Sequence, residues 1–411
     1  MVVPTGTTGL EAALATATLS ESSSSSSPSL ASSASAAPAT RKRKPRKTRV
    51  ILSGTAEEIL ARNTSSAPPA VVDKLVKQAA LNWHKFYRSH AAVQFFKDRH
   101  WTEREWDIGT LLGCGPSGGE REGDVGDEGE TPGVKGPPVL SELQRQTKGK
   151  GKAVLEVGCG TGAFVYPLLE RYPAARFVAF DFAKKAVELT KEHPLYDPSH
   201  LHAFQHDLTL PVADLHDQLE ACPPDFGAPA HSFDIVSSIF VLSALAPRQQ
   251  ATAVKTLVSL LAPGGSLLFR DYALHDAAQL RFHSLPSASY ASIPSLLSPQ
   301  TRPTSPSSPT AATLPSPAAP SSASPSTDGE DSNLHWYKRG DNTLTYFFTT
   351  SEIDSLIARA VDALNEGKVA GDDEFVELEG GVEIVERETV NRAEGVSFSR
   401  RFVHGSWRRV R

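Results

Sequence analysis

Cysteine is scarce in this chain. Its 411 residues include three cysteines, Cys114, Cys159 and Cys222, and none of them forms a CxxC pair or accompanies paired histidines. Disulfide frameworks and zinc sites need such spacings. The sequence therefore predicts neither a disulfide framework nor a bound metal, and it favours a reducing compartment.

Long apolar runs are also missing. No stretch of eighteen consecutive apolar residues occurs, so no membrane span is predicted. The N-terminal segment contains Glu11 and Glu21 and no arginine before Arg41, which argues against a secretory signal and a mitochondrial presequence. We therefore expect a cytoplasmic protein. The basic run RKRKPRK, residues 41–47, leaves a nuclear localisation signal, a flexible RNA-binding arm and a solvated linker open.

Two segments are poor in charge and in large apolar side chains. Residues 1–40 are almost all Ser, Ala, Thr and Pro. Residues 284–327 have a similar composition, and Arg302 is the single charged residue of that second segment. Neither segment has enough apolar surface to offset the entropy lost on ordering, so both are predicted to be disordered. A third segment, residues 118–133, is rich in Gly, Glu and Asp and is expected to be an acidic loop.

These segments define the expected domain organisation. The remaining residues suffice for one good hydrophobic core. We expect a disordered tail at 1–48, an N-terminal extension at 49–137 that contains the acidic loop, and an α/β domain at 138–411 interrupted by an insert at 284–333.

The most informative stretch is AVLEVGCGTGAFVYPLLE, residues 153–170. An apolar run is followed by a glycine-rich turn, Gly158 to Gly162, and then by a helical pattern. Glycines let the backbone turn sharply and let a ligand lie against it, which singles out Gly158 and Gly160. A second apolar run ends in Asp181, near the spacing at which an acid binds ribose hydroxyls. A nucleoside-containing ligand is predicted.

The acids around this turn indicate which nucleoside is bound. Glu156, Asp181 and Asp207 each lie at the end of a predicted strand. Three carboxylates are unfavourable for a pyrophosphate but suit a sulfonium that also carries an amino group, ribose and adenine. The pattern resembles the class I S-adenosylmethionine-dependent methyltransferases, and a Rossmann oxidoreductase is the alternative.

The fold expectation follows from alternating apolar patterns. Five strands are predicted, at 153–157, 176–180, 202–205, 233–238 and 265–270. Helices are predicted at 161–171, 182–192, 247–261 and 350–365, the third ended by Pro263-Gly264-Gly265. Two closing strands, at about 381–389 and 396–407, should form an antiparallel hairpin at the sheet edge. The expected fold is a class I, Rossmann-like α/β fold with a seven-stranded, mostly parallel sheet and an N-terminal helical extension.

Residues 79–101, AALNWHKFYRSHAAVQFFKDRHW, combine a helical aromatic face with a dense charge run. An aromatic face is more often core than ligand site, but FFKDRHW weakens that reading. Together with LEVGCGTG, DFAKKAVEL, HAFQHDLT, IFVLSALAP, FRDY and WYKRGDNTLTYFFT, it resembles the eukaryotic tRNA 3-methylcytidine methyltransferases. These enzymes modify cytidine 32 of the anticodon loop in threonine, serine or arginine tRNAs. Residues 49–63 resemble, more weakly, the threonine-tRNA branch.

Two features depart from the family pattern. The loop after Phe282, normally short, is enlarged by Ser/Pro sequence, and the closing strand lacks the usual tryptophan near Phe402. The resemblance implies S-adenosylmethionine as cofactor. It implies that Trp83 and Tyr87 close over it, that Gly158 passes beside its methionine part and that Asp181 holds the ribose. The remaining implied contacts are Asp207 and Leu208 at the adenine and Ile239 at the pocket floor.

The implied chemistry is transfer of a methyl group to cytosine N3. Because N3 has a free lone pair at neutral pH, positioning and electrostatics should suffice, without a strong base. A carboxylate would favour the cationic product, and Asp98 and Asp271 are the candidates. Four further candidates could bind the base or its phosphates: Arg99, His100, Arg270 and Tyr272. For each of these four, a structural ion pair is the alternative.

The expected partner is the anticodon loop of a tRNA. Basic clusters at 41–47, at 145–152 and in the last twelve residues are compatible with RNA, although the net charge is −5. An aminoacyl-tRNA synthetase or another protein partner, as in this family, stays open. The alternatives are a methyltransferase acting on a protein or a small molecule and a catalytically silent RNA-binding subunit.

Overall fold

The computed structural model describes residues 54–63, 65–91, 97–115, 151–222, 232–284, 335–391 and 396–411. The chain divides into two units, Met1–Arg49 and Val50–Arg411, and all described residues belong to the second. The run at 41–47, the loop at 118–133 and the insert beyond Ser284 lie outside the described residues, so their predictions stay predictions. No helix in the described ranges has the length and apolarity to cross a membrane.

The N-terminal extension is helical where it is described. Its helices are α1 (Ala56–Leu60), α2 (Pro69–Lys77), α3 (Ala79–His90), α4 (Trp101–Glu105) and α5 (Ile108–Leu111). A capping box starts α1, because the Thr55 side chain accepts from the Glu58 amide while Glu58 accepts from Thr55. Proline occupies the first helical position of α2, where no amide hydrogen is needed.

Strands and helices alternate through the central domain. In chain order they are β1 (Ala153–Val157), α6 (Val165–Arg171), β2 (Arg176–Asp181), α7 (Lys184–Lys191), β3 (Leu201–Gln205), α8 (Val212–Glu220), β4 (Phe233–Ile239), α9 (Pro247–Ser259), β5 (Leu261–Tyr272) and α10 (Ala277–His283). A short 3-10 turn, Leu242–Ala244, follows β4. All five β1 residues are buried, as expected of a strand covered on both faces.

The chain closes with two hairpins and a helix. The elements are β6 (Trp336–Lys338), β7 (Leu344–Tyr346), α11 (Thr350–Leu364), β8 (Leu378–Asn391) and β9 (Val396–Arg409). A capping box between Thr349 and Glu352 starts α11. Strands β6 and β7 form a separate two-stranded antiparallel sheet, which we did not predict.

The main sheet has seven strands in the order β3-β2-β1-β4-β5-β9-β8. Strands β1 to β5 pair in parallel, and β9 pairs antiparallel with both β5 and β8. The predicted class I fold, with its antiparallel edge hairpin, is confirmed. Because the first five strands are parallel, their carboxyl ends meet at one edge, where ligands bind in such folds.

Several boundaries were predicted wrongly. Helix α6 begins at Val165 instead of residue 161, and β5 begins at Leu261 instead of residue 265. Helix α9 ends at Ser259 instead of residue 261, and Leu261 already belongs to β5. Leu261 pairs with Phe233, and the register then shifts so that Ile235 faces Ser266. The intervening residues bulge out of the ladder, which tolerates Pro263 because no ladder hydrogen bond is required of it.

Candidate active site

The glycine-rich turn after β1 has the backbone that its sequence predicts. Gly158, Gly160 and Gly162 have φ angles of +62°, +58° and +82°, which side-chain-bearing residues rarely adopt. A Cβ on Gly158 would lie 2.6 Å from the side chain of Val241, and one on Gly160 would lie 3.0 Å from the Tyr87 hydroxyl. The turn is therefore closely covered, and only glycine leaves the space.

Asp181 is the last residue of β2 and is buried beside the turn. Its Oδ2 accepts a hydrogen bond from the Gly160 amide at 3.0 Å, and its Oδ1 accepts one from the Ala183 amide at 2.8 Å. Burial raises the pKa of Asp181 to about 6, against the opposing effect of these two hydrogen bonds. Each oxygen keeps a lone pair with which it can accept a ribose hydroxyl.

Glu156 adds a second buried carboxyl group under the turn. Burial raises its pKa to about 8, and the nearby Arg99 guanidinium and the amides of Val165 and Phe164 oppose that rise. Among the described residues, neither carboxyl oxygen receives a hydrogen bond of ordinary geometry. The Arg99 Nη1 lies 3.8 Å from Oε1. We had counted Glu156 among the three acids at strand ends that suit the ligand, and the structure buries it beside the turn.

Helix α3, which belongs to the N-terminal extension, packs over the glycine-rich turn. Phe86 and Tyr87 pack on Ala183 and Ala186, directly after the end of β2. The rings of Trp83 and Tyr87 lie 6.0 Å apart, and burial raises the pKa of Tyr87 well above its ordinary value. The two aromatic residues that were predicted to close over the cofactor thus lie at the glycine-rich turn.

The other predicted cofactor residues lie at the ends of β3 and β4. Asp207 accepts hydrogen bonds from the Thr209 amide at 2.9 Å and the Thr209 hydroxyl at 2.7 Å. It lines an open pocket that also contacts Ala80 and Phe182. Leu208 is buried in the core, and Ile239 is buried as the last residue of β4. The parallel sheet therefore brings these residues to the same edge as Asp181.

This edge fits S-adenosylmethionine. The glycine-rich turn has a left-handed backbone without side chains, and Asp181 lies where a ribose binds. The buried Glu156 carboxyl group suits a ligand with sulfonium and ammonium charges, because a cation beside it would stabilise its ionised form. Within the described residues, no cluster of His, Cys, Asp and Glu could hold a metal ion.

An aromatic cluster lies beside the turn, and we define it as Phe240, Tyr272 and Phe402. Phe240 follows β4 with a φ of +61°, which is rare for a bulky residue and marks functional sites. Its amide donates to the Arg270 carbonyl at 2.8 Å, which holds this conformation. The Phe240 ring stacks on Tyr272 at 4.9 Å and meets Phe402 edge-on at 5.6 Å.

Guanidinium groups surround the aromatic cluster. Arg99 lies 5.6 Å from the centre of the Phe240 ring, and Arg400 lies 5.7 Å from Tyr272 and 5.3 Å from Phe402. Arg400 is held by the buried Asp276 carboxylate at 2.8 Å. We had not singled out Phe240, Phe402 or Arg400 as site residues. The motifs IFVLSALAP and RRFVH contain them, but only the paired strands bring these motifs together.

The predicted triplet Arg270, Asp271 and Tyr272 is divided between the two faces of β5. Arg270 is buried between the rings of Trp101 and Phe402, at 4.2 and 4.6 Å, and pairs with Glu105. Side chains alternate along a strand, so Asp271 points to the other face. There it accepts from the Ser243 amide at 2.8 Å, and burial raises its pKa to about 6. Asp271 supports the turn after β4 and is not brought to the aromatic cluster.

The predicted triplet Asp98, Arg99 and His100 is also divided. Arg99 is fixed by its amide, which donates to the Ala163 carbonyl at 2.7 Å, and its side chain lies between Glu156 and Phe240. Asp98 lies near His193, and burial raises its pKa against the effect of His100 and His193. His100 is exposed at the start of α4. Of these three residues, only Arg99 is placed between the turn and the aromatic cluster.

Comparisons with known proteins agree with this geometry. A family model described as a methyltransferase domain matches residues 155–267. The chain is 31% identical over 363 residues to the tRNA N(3)-cytidine methyltransferase METTL6 of Rattus norvegicus, covering 88% of this chain and 90% of that protein. It is 30% identical over 318 residues to METTL2 of Xenopus tropicalis, another tRNA N(3)-cytidine methyltransferase, covering 75% of each. Identity to trm141 of Schizosaccharomyces pombe, a tRNA N(3)-methylcytidine methyltransferase, is 32% over 234 residues, covering 56% of this chain and 72% of trm141.

Proposed function

This chain belongs to the tRNA N(3)-cytidine methyltransferases, and we propose that it forms 3-methylcytidine at position 32 of the anticodon loop. It is an S-adenosylmethionine-dependent enzyme with the class I fold. We propose threonine tRNA as the substrate, with serine and arginine tRNAs as the alternatives. The proposal rests on the aromatic cluster beside the glycine-rich turn, whose rings lie close to the Arg99 and Arg400 guanidinium groups.

The aromatic cluster suits an unpaired base. Cytosine N3 lies on the Watson–Crick edge, so the enzyme has to take its target from a loop or turn it out of a stack. Proteins hold such bases by stacking them on aromatic rings and on arginine planes. Phe240 and Tyr272 supply rings, and Arg99 and Arg400 supply guanidinium groups within 6 Å of them.

Catalysis in this site rests on position and charge. When bound, S-adenosylmethionine would supply a methyl group on a positively charged sulfur: the N3 lone pair would bond to the methyl carbon as the carbon–sulfur bond breaks, leaving neutral S-adenosylhomocysteine, with no proton to remove from N3. The Glu156 and Asp181 carboxyl groups would help to bind the positively charged donor, which contributes to affinity and not to the transfer step itself. The methylated base is a cation, and the faces of Phe240 and Tyr272 favour a cation through their quadrupoles. These rings take the role for which Asp98 and Asp271 were the candidates: Asp271 lies on the other face of β5 and accepts from the Ser243 amide, and Asp98 lies near His193.

Protein partners and location belong to the same proposal. An aminoacyl-tRNA synthetase that delivers its own tRNA would explain selection among tRNAs with similar anticodon loops. We propose a cytoplasmic enzyme, with nuclear access through the basic run at 41–47 as the alternative. A fluorescent fusion with and without that run distinguishes the two.

The test of the proposed function is a methylation assay on total tRNA, with and without cell extract. Nucleoside mass spectrometry of purified isoacceptors should find 3-methylcytidine, and fragment mapping should place it in the anticodon loop of threonine tRNA. A reaction without S-adenosylmethionine is the negative control, and the Phe240→Ala protein should form less product than wild type. Finding 5-methylcytidine, a methylated exocyclic amine or no product with any tRNA and extract would contradict the proposal.

A further inference from the structure

The turn between β6 and β7 touches both sides of the site; we call residues 339–343 the bridging turn. The Arg339 guanidinium lies 5.9 Å from the centre of the Trp83 ring and 5.5 Å from that of Tyr272. Trp83 belongs to the helix that covers the glycine-rich turn, and Tyr272 belongs to the aromatic cluster. A planar guanidinium can stack on two rings at once, which a lysine ammonium does less well.

A hydrogen bond also ties the bridging turn to α3. The Asn82 side chain donates to the Asn342 carbonyl at 3.0 Å, and Asn342 has a left-handed φ of +67°. Asp341 keeps the turn in shape by accepting from the Thr343 amide at 2.9 Å and the Thr343 hydroxyl at 2.7 Å. The turn is thus connected to the helix that places Tyr87 against Gly160.

On its other side, the hairpin is attached to the aromatic cluster. The Phe348 amide, just past β7, donates to the Tyr272 carbonyl at 2.8 Å, and the Leu274 amide donates back to Phe348 at 2.9 Å. The Arg339 Nη2 also donates to the Thr345 hydroxyl at 3.1 Å, a contact within its own hairpin. A continuous path of contacts therefore runs from the glycine-rich turn to Tyr272.

We propose that Arg339 is a positioning residue that couples cofactor binding to RNA binding. The inference rests on the proposed function, because it takes tRNA as the second ligand. A ligand on the glycine-rich turn orders Trp83, and Trp83 orders the Arg339 guanidinium against Tyr272. The aromatic cluster is then already ordered when the RNA binds, so RNA binding does not carry the entropic cost of ordering it. The Arg339 guanidinium also places a positive charge beside the cluster. The coupling is reciprocal, so bound RNA strengthens cofactor binding by the same factor.

The test measures the dissociation constant of the substrate tRNA with and without saturating S-adenosylhomocysteine. In the wild-type protein, the ligand should tighten tRNA binding by about fivefold or more. In Arg339→Met, the two dissociation constants should agree within about twofold. Lys338→Met is the matched control: it removes the same charge at the last residue of β6, one position before the bridging turn, and should keep the wild-type coupling.

Arg339→Lys keeps the positive charge and is a conservative change that should leave the fold intact. It should lose most of the coupling, because lysine lacks the planar group that stacks on both rings. Thermal melts establish that each variant folds. Coupling that persists in Arg339→Met, full coupling in Arg339→Lys, or none in the wild type overturns the inference. Failure of the proposed function is seen separately, as the absence of 3-methylcytidine in the mass-spectrometric assay.

Discussion

Replacing Asp181 with alanine separates cofactor recognition from folding. The carboxylate accepts two backbone hydrogen bonds, from Gly160 and Ala183. Losing it leaves two buried donors, at about 1–3 kcal/mol each. The substitution also removes an unfavourable buried charge. The rise in the pKa of Asp181 from 3.8 to about 6 corresponds to a cost of about 3 kcal/mol for ionising it near neutral pH. Because these terms oppose each other, stability should fall by less than about 3 kcal/mol.

The loss of cofactor affinity is not offset by an opposing contribution of this kind. The ribose hydroxyls lose a charged acceptor in a buried site, which costs about 2–3 kcal/mol, or roughly 30- to 150-fold in dissociation constant. Calorimetry with S-adenosylhomocysteine measures this loss, and thermal denaturation measures stability in parallel.

Asp234→Ala is the matched control for Asp181→Ala. Asp234 accepts from the Ala153 amide at 2.9 Å, at the opposite end of the same sheet. Its loss should lower stability and leave cofactor affinity within about threefold. Unchanged affinity in Asp181→Ala, or an equal loss in both variants, would refute the assignment of Asp181 to the ribose.

Three further predictions concern the base, the buried acid and the insert. Phe240→Ala should lower kcat/KM for tRNA by about tenfold or more and leave S-adenosylhomocysteine affinity nearly unchanged; a large loss of that affinity in calorimetry would contradict it. Glu156 has a folded-state pKa of about 8, above its unfolded value, so its stabilising contribution is complete below the unfolded pKa and disappears as pH rises to about 8. In thermal melts from pH 5 to 9, Glu156→Gln should therefore gain stability relative to wild type as pH rises, and parallel curves would disprove the shift. Replacing residues 286–327 by a short Gly/Ser linker should preserve a cooperative melt and most activity, because the segment has little to pack; loss of the melt would reveal ordered structure.

Local patterns were sufficient to predict the sheet and the cofactor edge. Runs of buried apolar residues predict β1 and β2, and the glycines after β1 predict a turn that only glycine can adopt. Asp181 and Asp207 follow from strand ends, since parallel strands place their carboxyl ends together. These features depend on neighbours in sequence or on a repeating topology. They can therefore be inferred without coordinates.

The substrate side was decided by tertiary structure. Asp271 was a reasonable catalytic candidate by residue type, but strand alternation turns it away from Tyr272 toward Ser243. The left-handed conformation of Phe240 depends on a hydrogen bond to β5, and Phe402 comes from a strand more than a hundred residues further along the chain. The contact of Arg339 with both Trp83 and Tyr272 joins three segments distant in sequence. Such contacts depend on strand register and on the packing of the extension, which no local pattern encodes.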